Sequence, residues 1–421
     1  MDEMSVLLII TQVIVVIFSV YVFYHNRMRP IAWTNLFIAL LLGIGGLLYG
    51  EFYPKYQYET QLILLVQTVS LLLSLWLLLT NVISRRYKKA VFWKVNNNME
   101  IIVLWRILMI ILLTSLVIVI SAIGGIDKTG LWAMFFLPDL YNETREVTFK
   151  LMENGIVKSI YLYAKILTTF TAALGYVIYQ KGSNKKEIIA GILVIIIFSM
   201  LSGSRSGLVS VLLVFFIGNI IFYGLDLKKV AKMIVIIFAI VVVLSLFRSD
   251  GWGDYENIFR KIYQVTRRMF AAPFYTGIIH HDYVLNNGLW SFLDVTGFPG
   301  KERLGFDHVS AFRIVGEYST GIETANMNTS EIFFEMSIFG VFMGGMISTI
   351  VLILYDLLIT YLSVLIKDVS YPLVITFSVY SISIISTGAI GQLSRSFVLF
   401  VLVALLLFFV KIITNMRTKR M

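Results

Sequence analysis

Long stretches of this chain are apolar at nearly every position, and short polar connectors divide them. In "SVLLIITQVIVVIFSVYVFY" near one end and "FVLFVLVALLLFFV" near the other, apolar residues show neither the alternation of a half-buried strand nor the single polar stripe of a surface helix. A segment apolar on all sides needs surroundings that are apolar on all sides, and a helix of about 20 such residues crosses a bilayer core. Eleven segments qualify: 4–24, 31–50, 61–83, 100–123, 157–180, 187–203, 207–224, 229–248, 331–360, 371–390 and 395–414. The sixth and seventh are short, and the ninth is long enough to tilt or to begin outside the core.

The pattern predicts an all-α, polytopic integral membrane protein with about eleven transmembrane helices and one large loop. Three parts follow: residues 1–248 with the first eight spans, the loop 249–330, and 331–421 with the last three spans and a basic tail. Within the first part, 124–156 contains "DLYNETREVTFKLMENG", expected as a helix lying at the membrane interface. The loop is rich in Trp, Phe, Tyr and Gly with mixed charges, so it is expected to fold; loops of such length are functional or disordered. No internal repeat is evident, which speaks against repeat-built transporters.

Composition agrees: 58% of residues are hydrophobic and 14% charged, with a mean hydropathy of +0.85, where a soluble domain carries about 25% charged residues. The start lacks a basic n-region with a small-residue cleavage site, so the first run is expected to stay as a span. Cysteine is absent, which removes disulfides and thiolate metal sites.

The net charge of +10 raises the question of nucleic acid, but its placement answers otherwise. The connectors "HNRMRP", "SRRYKKAVFWK", "KGSNKK", "DLKKVAKM" and "IKD" and the tail "KIITNMRTKR" hold eighteen Lys and Arg, against seven in the opposite set with the large loop left aside. Basic loops stay in the cytoplasm, so the N-terminus is expected outside and the C-terminus inside. An odd number of spans requires the two ends to lie on opposite sides, which agrees.

Against that topology, the cations of the outer face stand out. "LSGSRSGLVS", 201–210, places Arg205 in a short turn among glycines and serines, where free helix-start N–H groups and a guanidinium suit a phosphate. Snorkelling to headgroups is the plainer reading of one such arginine. "GQLSRSF", 391–397, repeats the Ser-Arg-Ser triplet with Arg395, and Arg248 ends the eighth span. Lys158 and Lys165 share a face of the fifth span, with Lys165 about two turns in. The loop adds Arg267, Arg268, Arg303 and Arg313. An anionic, lipid-linked ligand accounts for these together; contact with anionic lipid is the rival, though it favours the cytoplasmic leaflet. Arg106, on the opposite side, reads as snorkelling or structural.

Acid–base groups also gather outside. His280, His281 and Asp282 are consecutive, and "DHVSAFRIVGEYSTG" brings Asp307, His308, Arg313 and Glu317 into one stretch. Polar residues facing water, with one ordinary Glu317–Arg313 ion pair, would explain any of them singly. "HHD" lacks metal-ligand spacing. In "NMNTSEIFFEMSIFGVFMGG", 326–345, Thr329 or Ser330 can cap a helix with Glu331 in its first turn, while Glu335, one turn deeper, is the better candidate to meet substrate.

Many apolar spans, Arg in short outer turns, one large late loop and the Asn/Thr-rich start of "EIFFEMSIFGVFMGG" together resemble the bacterial oligosaccharide repeat-unit polymerases of O-antigen and capsule, the Wzy family. These stand with the O-antigen ligases in the membrane-embedded GT-C glycosyltransferase class. The layout covers the whole chain; the closer match is confined to "SGSRSG" and 326–345. The resemblance implies transfer of a growing glycan from undecaprenyl pyrophosphate to the end sugar of a new lipid-linked repeat unit, at the outer face of the cytoplasmic membrane. It implies no metal and no other cofactor, since the donor is already activated.

Its partners would be undecaprenyl-pyrophosphate-linked glycans and membrane lipids, with a chain-length regulator and a flippase, and no nucleic acid. On this chain the resemblance points to Arg205 and Arg395 for pyrophosphate, with Arg248, Arg267, Arg268, Arg313 and Lys165 next. His308 is the first choice of general base, with Glu317 and Glu335 behind it. The ligases show a His-xxx-Gly pattern, and Phe312 stands here where that Gly would be. A flippase would place charges through many spans and needs no eighty-residue loop, and a membrane acyltransferase would want a His inside a span.

The absence of cysteine makes the topology testable. Asp2→Cys is expected to react with a membrane-impermeant maleimide added outside spheroplasts, and Lys419→Cys only after permeabilisation; the opposite labelling would invert the assignment.

Overall fold

A chain inside hydrocarbon can satisfy its N–H and C=O groups only within its own helix, and each of the eleven apolar runs contains helix in the structure, a computed structural model. It describes residues 3–52, 57–80, 99–137, 144, 155–182, 184–203, 205–246, 255–288, 311–321, 334–387 and 389–418, among which there is no strand. Among the described residues nine helices are long and apolar enough to cross a membrane. The other two runs fall on Lys185–Met200, of 16 residues, and Leu227–Leu246, of 20. The protein is therefore an all-helical, polytopic membrane protein. Residues 138–143 and 145–154 of the expected interfacial segment, and residues 249–254, 289–310 and 322–330 of the large loop, lie outside the described residues.

The helices divide between two compact units: 1–89, 266–362 and 380–397 in the first, and 90–265, 363–379 and 398–421 in the second. The first unit opens with α1 (Glu3–Asn26), α2 (Pro30–Phe37), α3 (Ile44–Phe52) and α4 (Glu59–Leu79). The run expected as one straight helix over 31–50 is interrupted by a π-helix at Ile38–Gly43. The widened turn leaves the Ala39 carbonyl to a side chain, and Gln12 of α1 donates to it at 2.7 Å. Gly43 makes room for that amide, since a Cβ there would sit 2.1 Å from Gln12 Nε2.

Helices in lipid gain little from burying apolar surface against one another, so small and polar side chains specify their packing. In the first unit they form a ladder. Ser19 and Ser70 meet at 3.0 Å, Ser70 donates to Asn35 Oδ1 at 3.0 Å, and Asn35 donates to Ser74 at 2.9 Å. Thr11 donates to Gln67 at 3.2 Å and Gln67 to the Leu8 carbonyl at 3.3 Å.

At the end of this ladder a fully buried ion pair joins Arg29 to Asp356. Arg29 also donates to Thr80, while Trp76 donates to the same carboxylate at 3.0 Å and Thr360 at 3.2 Å. Counted by sequence as one more basic residue of a cytoplasmic connector, Arg29 is instead an interior cation.

In the second unit α5 (Met99–Ile123), α7 (Gly155–Gln180), α8 (Lys185–Met200), α9 (Arg205–Tyr223) and α10 (Leu227–Leu246) pack together, with α6 (Gly130–Phe136) between α5 and α7 in the chain. Arg106 of α5 clasps Glu187 of α8 through two exposed bonds of 2.8 and 2.9 Å. α11 (Tyr255–Thr266) follows.

The rest of the first unit is α12 (Ala272–Asn287), α13 (Ala311–Thr320) and most of α14 (Val341–Leu365). The residues of α15 (Ser370–Thr387) and α16 (Ala389–Thr418) are divided between the units. The ninth run, expected as a helix over 331–360, becomes helical for its span only at Val341: a 3-10 turn, Met336–Phe339, comes first, and Gly340 at φ +86° breaks the helix. Glu335 therefore stands ahead of the span.

Removing one partner of a buried pair leaves the other charge unpaired, so Asp356→Ala is expected to cost about 3–5 kcal/mol. The double variant Arg29→Met/Asp356→Leu should recover most of that loss, as read from unfolding in detergent micelles.

Candidate functional site

Acid–base residues converge in the first unit where α12 meets the segment before α14. A π-turn, Arg267–Ala271, leads into α12, and Pro273 sits in the first turn of α12. Close approach to the 334–339 segment depends on Gly277, whose Cβ would lie 2.3 Å from the Phe334 ring. Consecutive residues on a helix point about 100° apart, so His280 and His281 face different neighbours. Both are buried.

His280 Nδ1 lies 3.8 Å from Glu335 Oε1. Glu335 is 1% exposed, and neither carboxyl oxygen has a hydrogen-bond partner among the described residues. A carboxylate deprived of water resists ionisation, and burial pushes this one up to about 8.

His281 is held from three sides. Its Nδ1 lies 3.3 Å from the Phe334 carbonyl and in close contact with Ser337 Oγ, and Tyr58 packs edge-on at 4.8 Å between ring centroids. A carbonyl can only accept, so Nδ1 is assigned the proton and Nε2 is left with the lone pair. Burial, acting first, lowers the affinity of this ring for a second proton. Next along α12, Asp282 accepts from Tyr318 of α13 at 2.9 Å, and Asn286 donates to the Tyr318 oxygen at 2.8 Å. This ties α13 to α12.

Of the residues proposed from sequence, the structure brings Glu335 into the acid–base cluster. Glu317 is exposed on α13, and His308 lies outside the described residues. Arg267 is half-buried and Arg268 exposed, both in the π-turn ahead of α12. Arg395, half-buried on α16, sits over the Tyr380 ring at 4.4 Å, with its Nε unpartnered among the described residues.

Arg205 opens α9 and Arg313 lies in α13, their side chains outside the description, as is all of Arg248. Lys165 is half-buried in α7 with its ammonium 5.7 Å from the Tyr161 ring. Lys165 and Arg205 belong to the second unit, and Glu335, Glu317, Arg267, Arg268, Arg313 and Arg395 to the first.

Sequence reasoning named His280 and His281 as a group but missed Ser337 and Tyr58. Nothing in "EMSIFG" distinguishes Ser337 from a helix serine; its role follows from the 3-10 turn. No group of three or more His, Asp or Glu is placed to hold a metal ion among the described residues. No family model matches the chain, and no curated protein or solved structure matches it.

The Glu335 carboxyl gives a pH signature. The folded chain keeps a proton there that the unfolded chain releases above about 4.5, so the stabilisation is complete below that pH and is lost as pH rises through about 8. Glu335→Gln, neutral throughout, should gain stability relative to the parent across this window; parallel unfolding curves at both ends would contradict the assignment.

Proposed function

We propose that this protein is a membrane glycosyltransferase that joins lipid-pyrophosphate-linked oligosaccharide repeat units into a surface polysaccharide, capsule or O-antigen. In this reading it has eleven spans in the bacterial cytoplasmic membrane, N-terminus outside and C-terminus in the cytoplasm, and works at the outer face. The observation that carries the reading is Glu335: a buried carboxyl beside His280 whose pKa of about 8 suits proton abstraction near neutral pH.

Glu335 takes the proton of the acceptor hydroxyl. That oxygen attacks the anomeric carbon of the donor, and the bond to pyrophosphate breaks with its electron pair leaving on the phosphate. His280 faces the carboxyl and His281 secures the adjoining segment. The developing charge of the leaving group calls for preorganised cations; in the first unit Arg395 is the candidate, with Arg267 and Arg268 in support, and Arg205 and Lys165 are the candidates that the second unit carries. Of the two candidate bases among the described residues, Glu335 is buried and Glu317 exposed, and burial favours Glu335.

The test is purified protein with a synthetic lipid-linked repeat unit, followed by the length of the glycan ladder. Glu335→Gln should slow extension about 10²–10⁴-fold, and Arg395→Ala and Arg205→Ala each about 10²–10³-fold, with normal membrane insertion. A parent-like ladder from Glu335→Gln would remove the base, and parent-like ladders from both arginine variants would remove the leaving-group assignment.

A further inference from the structure

The turn "LSGSRSG" carries a second feature, independent of the guanidinium that drew attention to it. Three hydroxyls are buried around it: Tyr161 of α7 at 5% exposure, Ser199 in the last turn of α8 at 3%, and Ser202 in the turn itself at 0%. None of the three has a hydrogen-bond partner among the described residues. The Tyr161 phenol is turned toward Ser202 without closing a hydrogen bond to it.

The backbone around them is tightly fixed. Leu131 N–H donates to the Leu201 carbonyl at 3.2 Å, and a Cβ on Gly130 would lie 2.7 Å from the Ser202 carbonyl carbon. A Cβ on Gly207 would lie 2.3 Å from the Ser199 carbonyl oxygen. The hydroxyls therefore sit in a rigid frame that withholds partners from them.

Each buried, unpaired hydroxyl costs free energy of about 1–3 kcal/mol, so three at one turn call for an occupant that hydrogen-bonds to them. The local charge selects its sign. Lys165 lies at the Tyr161 ring, Arg205 is the first residue of α9, and the 19-residue α9 directs the positive end of its dipole at the turn. Neither α6, α7 nor α9 contains an acidic residue, and Glu187 of α8, at the other end of its helix, is engaged by Arg106. Among the described residues of these four helices, a cation would find no free negative ligand at the turn. A phosphoryl group offers oxygen acceptors to hydroxyl donors and a charge matched to the field.

We propose that Tyr161, Ser199 and Ser202 form a phosphate-oxygen site at the foot of α9. The site takes a phosphate-bearing lipid or pyrophosphate; only the identity of that phosphate as the glycan carrier's rests on the glycosyltransferase reading.

The test is binding of inorganic pyrophosphate to the full chain in nanodiscs of phosphatidylcholine, read by calorimetry and by the shift in unfolding temperature. Tyr161→Phe and Ser202→Ala each remove one donor and should weaken binding about ten-fold. Without ligand, Tyr161→Phe should melt no lower than the parent, because the lost hydroxyl was unpaired; a purely structural tyrosine would melt lower. Nanodiscs containing phosphatidylglycerol separate the sources: competition with pyrophosphate identifies a headgroup, and undiminished binding a pyrophosphate preference, each upholding the site. Absence of binding by the parent, or equal affinity in both variants, overturns it and leaves a pocket for ordered water only. Binding requires no turnover, so Glu335→Gln should bind pyrophosphate as the parent does. Loss of the site thus shows in calorimetry, and failure of the transferase reading shows only in the ladder.

Discussion

A chain in hydrocarbon cannot leave a polar group unanswered, and the first unit shows how that constraint is met at its most expensive point. The guanidinium of Arg29 and the carboxylate of Asp356 are both withdrawn from solvent, and each is surrounded by further donors or acceptors from Thr80, Trp76 and Thr360. In a medium that cannot screen them, the two charges fix α4, the α1–α2 junction and α14 in one arrangement, because every alternative leaves a bare ion. The serine and asparagine ladder between α1, α2 and α4 extends the same logic with neutral groups. Apolar surface supplies the solubility in lipid, and these few polar contacts supply the register.

Other buried polar groups are left without such partners. Glu335 is buried as deeply as Asp356, yet it faces one histidine at 3.8 Å and no hydrogen-bond donor among the described residues. The three hydroxyls at the "LSGSRSG" turn are exceptions of the same kind in the second unit. Glu335 and these three hydroxyls are among the buried polar groups that lack a partner, and they remain available for one. Such availability is what binding and proton transfer require.

Much of the fold was legible in the sequence, because uniform hydropathy over a span length admits one solution in a bilayer. Legibility failed where a local event depended on a distant residue. The π-turn at 38–43 exists together with Gln12, whose amide takes the carbonyl it frees. The start of α14 is displaced to Val341 by Gly340, which the sequence presented only as a small packing residue. At the site, "HHD" and Glu335 were visible as separate acid–base candidates, but their meeting across more than fifty residues was not. Ser337 carried no signal at all.

By itself the sequence determined the solvent of this protein, its helical class and the concentration of candidate cations and acids in particular connectors, since these depend on the sum of local transfer energies along the chain. The tertiary structure alone decided which polar groups are paired. It made Arg29 part of an interior lock, left Glu335 opposite His280, and left Tyr161, Ser199 and Ser202 unsatisfied. The physical reason is that hydropathy is a property of one residue, whereas desolvation, hydrogen bonding and the proton affinity that follows from them are properties of the groups brought around it.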